Sequence, residues 1–138
     1  MTPLLELENI TKVFRQPLDL AARIARYAGA GVREAVVHAL DEVSLTIAEG
    51  EVVGIAGESG CGKSTLGRIA AGILAPTRGT RRWHGTDIVT LASTARRDIE
   101  LKIQMVFQDS YASLNPRMRV AEIIGEAPRV HGMVAAAA

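Results

Sequence analysis

Eight consecutive residues, 57–64, have the types and spacing needed to bind a chain of phosphates. They read Gly-Glu-Ser-Gly-Cys-Gly-Lys-Ser, which matches the P-loop pattern of two glycines separated by four residues and followed by Lys and Ser. A triphosphate is dense negative charge, so binding it requires many N–H donors at close range. Gly57, Gly60 and Gly62 leave the backbone uncovered for that approach and permit unusual backbone angles.

Individual residues of this loop have distinct predicted roles. Lys63 is predicted to bridge the β- and γ-phosphates as a mobile point charge. Ser64 is predicted to place its hydroxyl on Mg²⁺, a cation that keeps several waters and accepts phosphate oxygens. Cys61 is interpreted as a small filler, with a reactive thiol as the alternative. The predicted nucleotide contacts are Gly57, Glu58, Ser59, Gly60, Cys61, Gly62, Lys63, Ser64 and Thr65, the last of which reaches the α-phosphate.

The loop must be held between a strand and a helix for the pattern to be meaningful. Residues 52–56 are an apolar run that predicts a buried strand, and residues 65–74 predict a helix that begins near Lys63. The positive end of that helix then adds its free N–H groups to the site.

Two strands are predicted to form a hairpin just before the loop. Val43, Leu45 and Ile47 alternate with polar or small residues, which is the pattern of a half-buried strand. A short turn at residues 49–50 leads into the 51–56 strand, so the two are expected to pair antiparallel.

The rest of the chain carries weaker signals of regular structure. Strands are predicted at 4–13 and at 80–87, the second as an edge strand, after a turn at 76–79. Helices are predicted at 92–102 and at 120–127, with Pro128 ending the second. A further short apolar segment occupies 103–107.

Composition bounds the class of protein. The 138 residues allow one modest domain, and 48% hydrophobic with 22% charged residues is a globular balance. The formal net charge of +1 gives no electrostatic reason to expect a nucleic-acid partner. The start has no signal-peptide pattern, the longest apolar stretch is too short for a membrane span, and the single cysteine suits a reducing compartment. These features predict a soluble intracellular protein.

Residues 16–37 do not fit the surrounding pattern and are predicted to be a surface insertion between two strands. Leu20, Ile24 and Tyr27 share one helical face, so the insertion is expected to contain a short helix. A contact element for a partner protein is the alternative interpretation.

A second stretch, residues 104–118, reads Gln-Met-Val-Phe-Gln-Asp-Ser-Tyr-Ala-Ser-Leu-Asn-Pro-Arg-Met. Together with residues 57–68, it closely resembles the ATP-binding subunits of ABC transporters, in particular those of the dipeptide and oligopeptide importers. The resemblance runs from about residue 4 to residue 132, with 16–37 outside it. Asp109-Ser110 departs from the Asp-Pro usual in that subgroup.

The resemblance implies an α/β fold, namely an incomplete P-loop NTPase of the ABC ATPase type. Residues 1–138 would be the N-terminal part of one ATP-binding domain, with an antiparallel β portion and with 108–138 starting the helical subdomain. The implied cofactors are ATP and Mg²⁺. Gln108 would contact the Mg²⁺ and the attacking water, and so would share the catalytic role with Lys63. Phe14 would stack on adenine, with core packing as the alternative and Tyr27 as a weaker rival.

The resemblance also implies partners and a location. Two ATP-binding subunits, identical or different, would sandwich two ATP molecules and drive membrane permease subunits. An extracytoplasmic substrate-binding protein would act indirectly, and the chain would be cytoplasmic and peripheral on the inner face of the membrane. Peptides are the favoured cargo, with nickel or sugars as open alternatives.

Three parts that the resemblance implies do not occur in the sequence. They are an apolar strand ending in Asp-Glu, a Leu-Ser-Gly-Gly-Gln segment and a switch histidine; Asp109 follows no unbroken apolar run, and His38, His84 and His131 are predicted surface residues. The chain is therefore expected to correspond to an N-terminal half and to be inactive alone. A non-hydrolysing regulatory module and, less favoured, a soluble P-loop kinase or GTPase are the alternatives.

Overall fold

The computed structural model describes residues 2–16, 35–109 and 114–134. The chain divides into two compact units, Met1–Gln104 and Met105–Ala138. No helix within the described ranges is long and apolar enough to cross a membrane.

The first unit contains a four-stranded antiparallel sheet. Its strands are β1 (Leu5–Gln16), β2 (Ala35–Ile47), β3 (Arg78–Trp83) and β4 (Thr86–Asp87), in the order β2-β1-β3-β4. The predictions of strands near 4–13, 43–47 and 80–87 are confirmed, although the edge position belongs to β4 rather than to β3.

The ends of the predicted insertion belong to this sheet. Gln16 pairs with Ala35, so the strands extend into the segment that the sequence sets apart. Residues 17–34, which include the predicted helix and Tyr27, lie outside the described residues.

A bulge in β1 places two core residues on the same side of the sheet. Asn9 adopts a left-handed conformation with φ of 49°, and the pairing with β2 shifts register between Leu7 and Ile10. Asparagine tolerates this region better than most residues, and a bulge re-aims the side chains that follow it. Leu7 and Ile10 are consequently both buried in the core.

Helix α1 (Lys63–Ala70) covers this side of the sheet. Its Leu66 and Ile69 pack in one cluster with Leu7, Ile10 and Leu40. The helix is four residues shorter at its end than the predicted 65–74. It stops there because Gly72 turns left-handed, with φ of 81°, and the N–H of Ile73 returns to the carbonyl of Arg68 at 2.9 Å.

The predicted strand at 51–56 and its hairpin with β2 are wrong. Leu45 and Ile47 pair instead with Leu7 and Leu5 of β1, and residues 51–57 have no regular secondary structure. The turn itself forms, since the N–H of Glu51 donates to the carbonyl of Ala48 at 3.2 Å. An apolar run becomes a strand only where a neighbour accepts its backbone hydrogen bonds, and no strand within the described ranges pairs with this one.

The remaining elements of the first unit follow β3. A turn at His84 and Gly85 joins β3 to β4, and Asp87 then caps a short 3₁₀ helix (Ile88–Thr90) by accepting from the N–H of Val89 at 2.9 Å. Helix α2 (Ser93–Glu100) confirms the helix predicted at 92–102.

The second unit contains helix α3 (Val120–Val130). The predicted interruption at Pro128 is wrong, because the helix continues through it. Proline removes one backbone donor, but only two helical residues follow, and the N–H of His131 still reaches the carbonyl of Ala127 at 3.0 Å. Residues 103–107, like 51–57, have no regular secondary structure.

Candidate nucleotide-binding site

The glycine loop is seated on β2 through Gly62. A Cβ placed on Gly62 would collide with the backbone carbonyl oxygen of Ala39 and lie 2.9 Å from Cδ2 of Leu40. Gly62 also has a φ of 96°, in the left-handed region that favours glycine. Gly60 is left-handed too, with φ of 84°, but a Cβ there would meet no atom within 4 Å. The loop therefore rests on the sheet at Gly62 and faces open space at Gly60.

The first turn of α1 has backbone N–H groups without an acceptor in the helix. Gly62 is the N-cap residue, and within the described part of the chain no side chain caps the helix. The first helical hydrogen bond is donated by the N–H of Leu66 to the carbonyl of Gly62 at 2.9 Å. The N–H groups of Lys63, Ser64 and Thr65 consequently have no acceptor inside the helix. Such a helix end attracts an anion.

Lys63 bonds through its side chain to the backbone at the start of the glycine loop. Its Nζ donates to the carbonyl of Gly57 at 2.8 Å and to that of Glu58 at 2.6 Å, and lies 3.5 Å from Sγ of Cys61. The ammonium group therefore ties the start of the loop to the start of α1. This holds a positive charge within the loop and restrains the backbone before any phosphate binds.

The other predicted contacts in the loop are mostly accessible. Glu58, Ser59, Cys61 and Ser64 are exposed, and Thr65 is half-buried. The thiol of Cys61 is free. Solvent therefore reaches the hydroxyl predicted to bind Mg²⁺ and the thiol whose reactivity the sequence leaves open.

Phe14 lies on β1 near the point where the loop meets the sheet. It pairs with Val37, two residues from the Ala39 carbonyl against which Gly62 packs. Phe14 is 41% exposed and does not belong to the buried core cluster of the described residues. Nζ of Lys12 lies 5.2 Å from the ring centroid, at a distance that permits a cation–π interaction.

Gln108 is an exposed residue of the second unit, in a stretch without regular structure. Its contacts with Mg²⁺ and with water remain predictions. Among the described residues there is no group of three or more His, Cys, Asp or Glu side chains that could hold a metal ion. The predicted surface positions of His38, His84 and His131 are confirmed.

A cleft on the first unit lies away from the glycine loop. A cleft of about 450 Å³ is lined by Thr11, Val13 and Arg15, which alternate along β1 with Lys12 and Phe14. Since successive side chains of a strand point to opposite faces, this cleft lies on the other side of β1 from Phe14. None of residues 57–65 lines this cleft.

Sequence reasoning missed two residues that shape the site. Lys12 contacts Phe14 and donates from Nζ to the carbonyl of Ala75 at 2.8 Å. Its spacing of two residues from Phe14 could have indicated a shared face. Ala39 acts through its backbone carbonyl, and no sequence pattern marks that role.

Comparison with known proteins identifies the family. A family model described as ABC transporter matches residues 40–137, more than half of the chain. YkfD of Bacillus subtilis, named as an oligopeptide transport ATP-binding protein, is 44% identical over 119 residues, covering 86% of this chain and 36% of YkfD. The nickel import ATP-binding protein NikE of Shigella flexneri is 47% identical over 90 residues, covering 65% of this chain and 34% of NikE. The chain thus spans about a third of the length of these curated relatives.

A solved structure shows the same fold. The dimeric post-hydrolysis state of the ATP-binding cassette MJ0796, bound to ADP and Pi, aligns with a TM-score of 0.64 at 25% identity. The alignment covers 97% of this chain and 50% of that one. The predicted fold class, an incomplete P-loop NTPase of the ABC ATPase type, is confirmed. The chain belongs to the ABC transporter family.

Proposed function

We propose that residues 57–65 bind the phosphates of ATP, and that the chain is the ATP-binding part of a transporter that imports peptides. The observation that carries this proposal is the uncapped first turn of α1, which directly follows a loop with open space beside Gly60. An anion there would find free N–H donors, the positive end of the helix dipole and the charge of Lys63 together.

Each loop residue has a role in this proposal. The N–H groups of Lys63, Ser64 and Thr65 donate to phosphate oxygens, and the Thr65 hydroxyl adds a donor at the α-phosphate. The ammonium group of Lys63 turns from the carbonyls of Gly57 and Glu58, where it now donates, to the β- and γ-phosphates. The ammonium group then donates to charged phosphate oxygens instead of neutral carbonyl oxygens, and hydrogen bonds to charged acceptors are stronger.

The loop also suits a nucleotide that carries Mg²⁺. The exposed hydroxyl of Ser64 would supply one oxygen ligand. Mg²⁺ prefers this kind of site, because it keeps waters and accepts phosphate oxygens instead of requiring a cage of protein ligands. Bound Mg²⁺ would neutralise charge that develops on the phosphates. The amide oxygen of Gln108 would be a second ligand and would orient the attacking water.

Phe14 would stack on the adenine. Its ring is partly exposed and stands near the strand position on which the loop rests. The ammonium group of Lys12 lies beside the ring and adds positive charge to this part of the site.

In the whole protein, two such subunits would bind two ATP molecules between them and act on membrane permease subunits at the cytoplasmic face of the membrane. A substrate-binding protein outside the cell would deliver the cargo. The dimeric structure of the similar cassette supports the pairing. The name of YkfD supports peptides as cargo, and that of NikE keeps nickel as the alternative.

Binding of MgATP to the 138-residue chain, measured by isothermal titration calorimetry, tests the proposal. Lys63→Ala should weaken binding at least tenfold, whereas Lys102→Ala, which removes an exposed lysine elsewhere in the first unit, should leave it unchanged. Equal affinity of wild type and Lys63→Ala would show that the loop is not the phosphate site.

A further inference from the structure

Two neighbouring arginines of β3 have opposite environments. Arg82 is on the outer face, where Nη1 donates to Oε2 of Glu8 at 2.5 Å. Arg81 points the other way and is only 8% exposed. Its Nε and Nη2 atoms are buried, and no hydrogen-bond acceptor for them exists among the described residues. A buried charge with unused donors is costly, so such a group calls for a partner.

The electrostatics around Arg81 leave positive charge uncompensated. Burial lowers the pKa of Arg81, and the nearby charge of Arg96 lowers it further, while Glu100 opposes both. A guanidinium nevertheless stays protonated in proteins, so Arg81 remains a cation. The carboxylate of Glu100 already accepts from Nε of Arg96 at 2.9 Å. The single negative charge of Glu100 therefore lies near two positive charges, those of Arg81 and Arg96.

Arg81 lines a cavity of about 240 Å³ at the end of α1. Its walls include Gly72, Pro76, Ile88 and Arg96. The guanidinium lies so close to Gly72 that a Cβ there would be 2.6 Å from Nη1. Arg96 is 49% exposed, which gives the cavity an opening to solvent at its side. The space exceeds the roughly 30 Å³ of one liquid water several times over, so a small ion and its remaining waters fit.

We propose that this cavity binds a small tetrahedral oxyanion, such as inorganic phosphate or sulfate, between the guanidinium groups of Arg81 and Arg96. Arginine presents a planar fork of donors that matches the oxygens of such an anion. The anion would accept from Nη1 of Arg81, which lies beside Gly72 in the cavity wall, and would balance the second positive charge. The site is built from the segment that follows α1, from β3, from the 3₁₀ helix and from α2. It shares no residue with the glycine loop, so it does not depend on the proposed ATP site.

Titration with sulfate at constant ionic strength, followed by calorimetry, tests this site. The Lys63→Ala chain serves as the background, because the glycine loop is a second candidate anion site. Sulfate should bind this chain, and adding Arg81→Met should weaken the affinity at least tenfold. Adding Arg82→Met, which removes the adjacent arginine on the other face, should change it less than twofold. Undiminished binding with Arg81→Met, or no binding to the background chain, would overturn the proposal.

A second variant keeps the test decisive if Arg81→Met fails to fold. Glu100→Gln removes the carboxylate that competes for Arg96, so it should tighten sulfate binding several-fold. If the background chain binds no sulfate and only the Glu100→Gln chain does, Glu100 itself occupies the site and the proposal is wrong. A sulfate-dependent shift of the Arg81 Nε–H signal in the ¹⁵N NMR spectrum would place the anion at this side chain; an unmoved signal would contradict it.

Discussion

Gly62 lies against the backbone carbonyl of Ala39 with no room for a side chain between them. This contact seats the first turn of α1 on β2, so the glycine is needed for packing as well as for the approach of phosphate. Its position also fixes where the free N–H groups of the helix start lie relative to the sheet.

Gly62→Ala should therefore destabilise the fold more than Gly60→Ala. Both glycines are left-handed, and an alanine in that region costs about 1–2 kcal/mol. Only Gly62 adds a collision with backbone, which should cost at least about 1 kcal/mol more, as overpacking does. Urea unfolding of the two variants measures the difference. Equal free energies of unfolding would mean that the contact with Ala39 does not constrain the loop.

Alkylation of Cys61 should block nucleotide binding. The thiol is exposed, and its Sγ lies 3.5 Å from Nζ of Lys63, so an added group would occupy the space of the loop. After complete modification with iodoacetamide, confirmed by mass spectrometry, the affinity for MgATP should fall at least tenfold. Cys61→Ala should bind MgATP and be insensitive to the reagent. Full binding by the modified wild-type chain would reject the prediction.

Phe14→Ala should weaken ATP binding but not the binding of inorganic triphosphate. A base stacked on an aromatic ring contributes about 1–3 kcal/mol, so the affinity for ATP should fall at least roughly fivefold. Triphosphate lacks the base and should bind both chains equally. Val36→Ala, at another exposed apolar residue of the same strand pair, is the matched control. A parallel loss for both ligands would show that the substitution disturbs the loop and not a stacking contact.

Residues 1–138 produced alone should hydrolyse ATP negligibly. Phosphoryl transfer depends on a group that positions the attacking water and on charge stabilisation around the phosphates. The Asp-Glu strand and the Leu-Ser-Gly-Gly-Gln segment that the family resemblance implies for these tasks do not occur in the sequence. Steady-state phosphate release should be less than a tenth of that of an intact relative. A rate within tenfold of that relative would show that these residues suffice.

The local features of the site follow from residues that are adjacent in the chain. Glycines at fixed spacing before Lys63 predict left-handed backbone and a helix that starts there, and both are present. These features depend on residues adjacent in the chain, so a local pattern contains what is needed to predict them. The longer resemblance, extending to Gln108, was sufficient to predict the family and its fold.

The pairing of these elements, in contrast, depends on the folded arrangement of the whole sheet. β2 pairs with β1 and not with residues 51–56, although both segments read as strands. The exposure of Phe14 and the burial of Arg81 likewise follow from strand pairing and from a bulge at Asn9. A strand needs a neighbour to take its hydrogen bonds, and that neighbour is distant in sequence. Local periodicity can therefore predict that a segment has the pattern of a β-strand. It cannot predict whether another strand lies beside that segment to form the backbone hydrogen bonds.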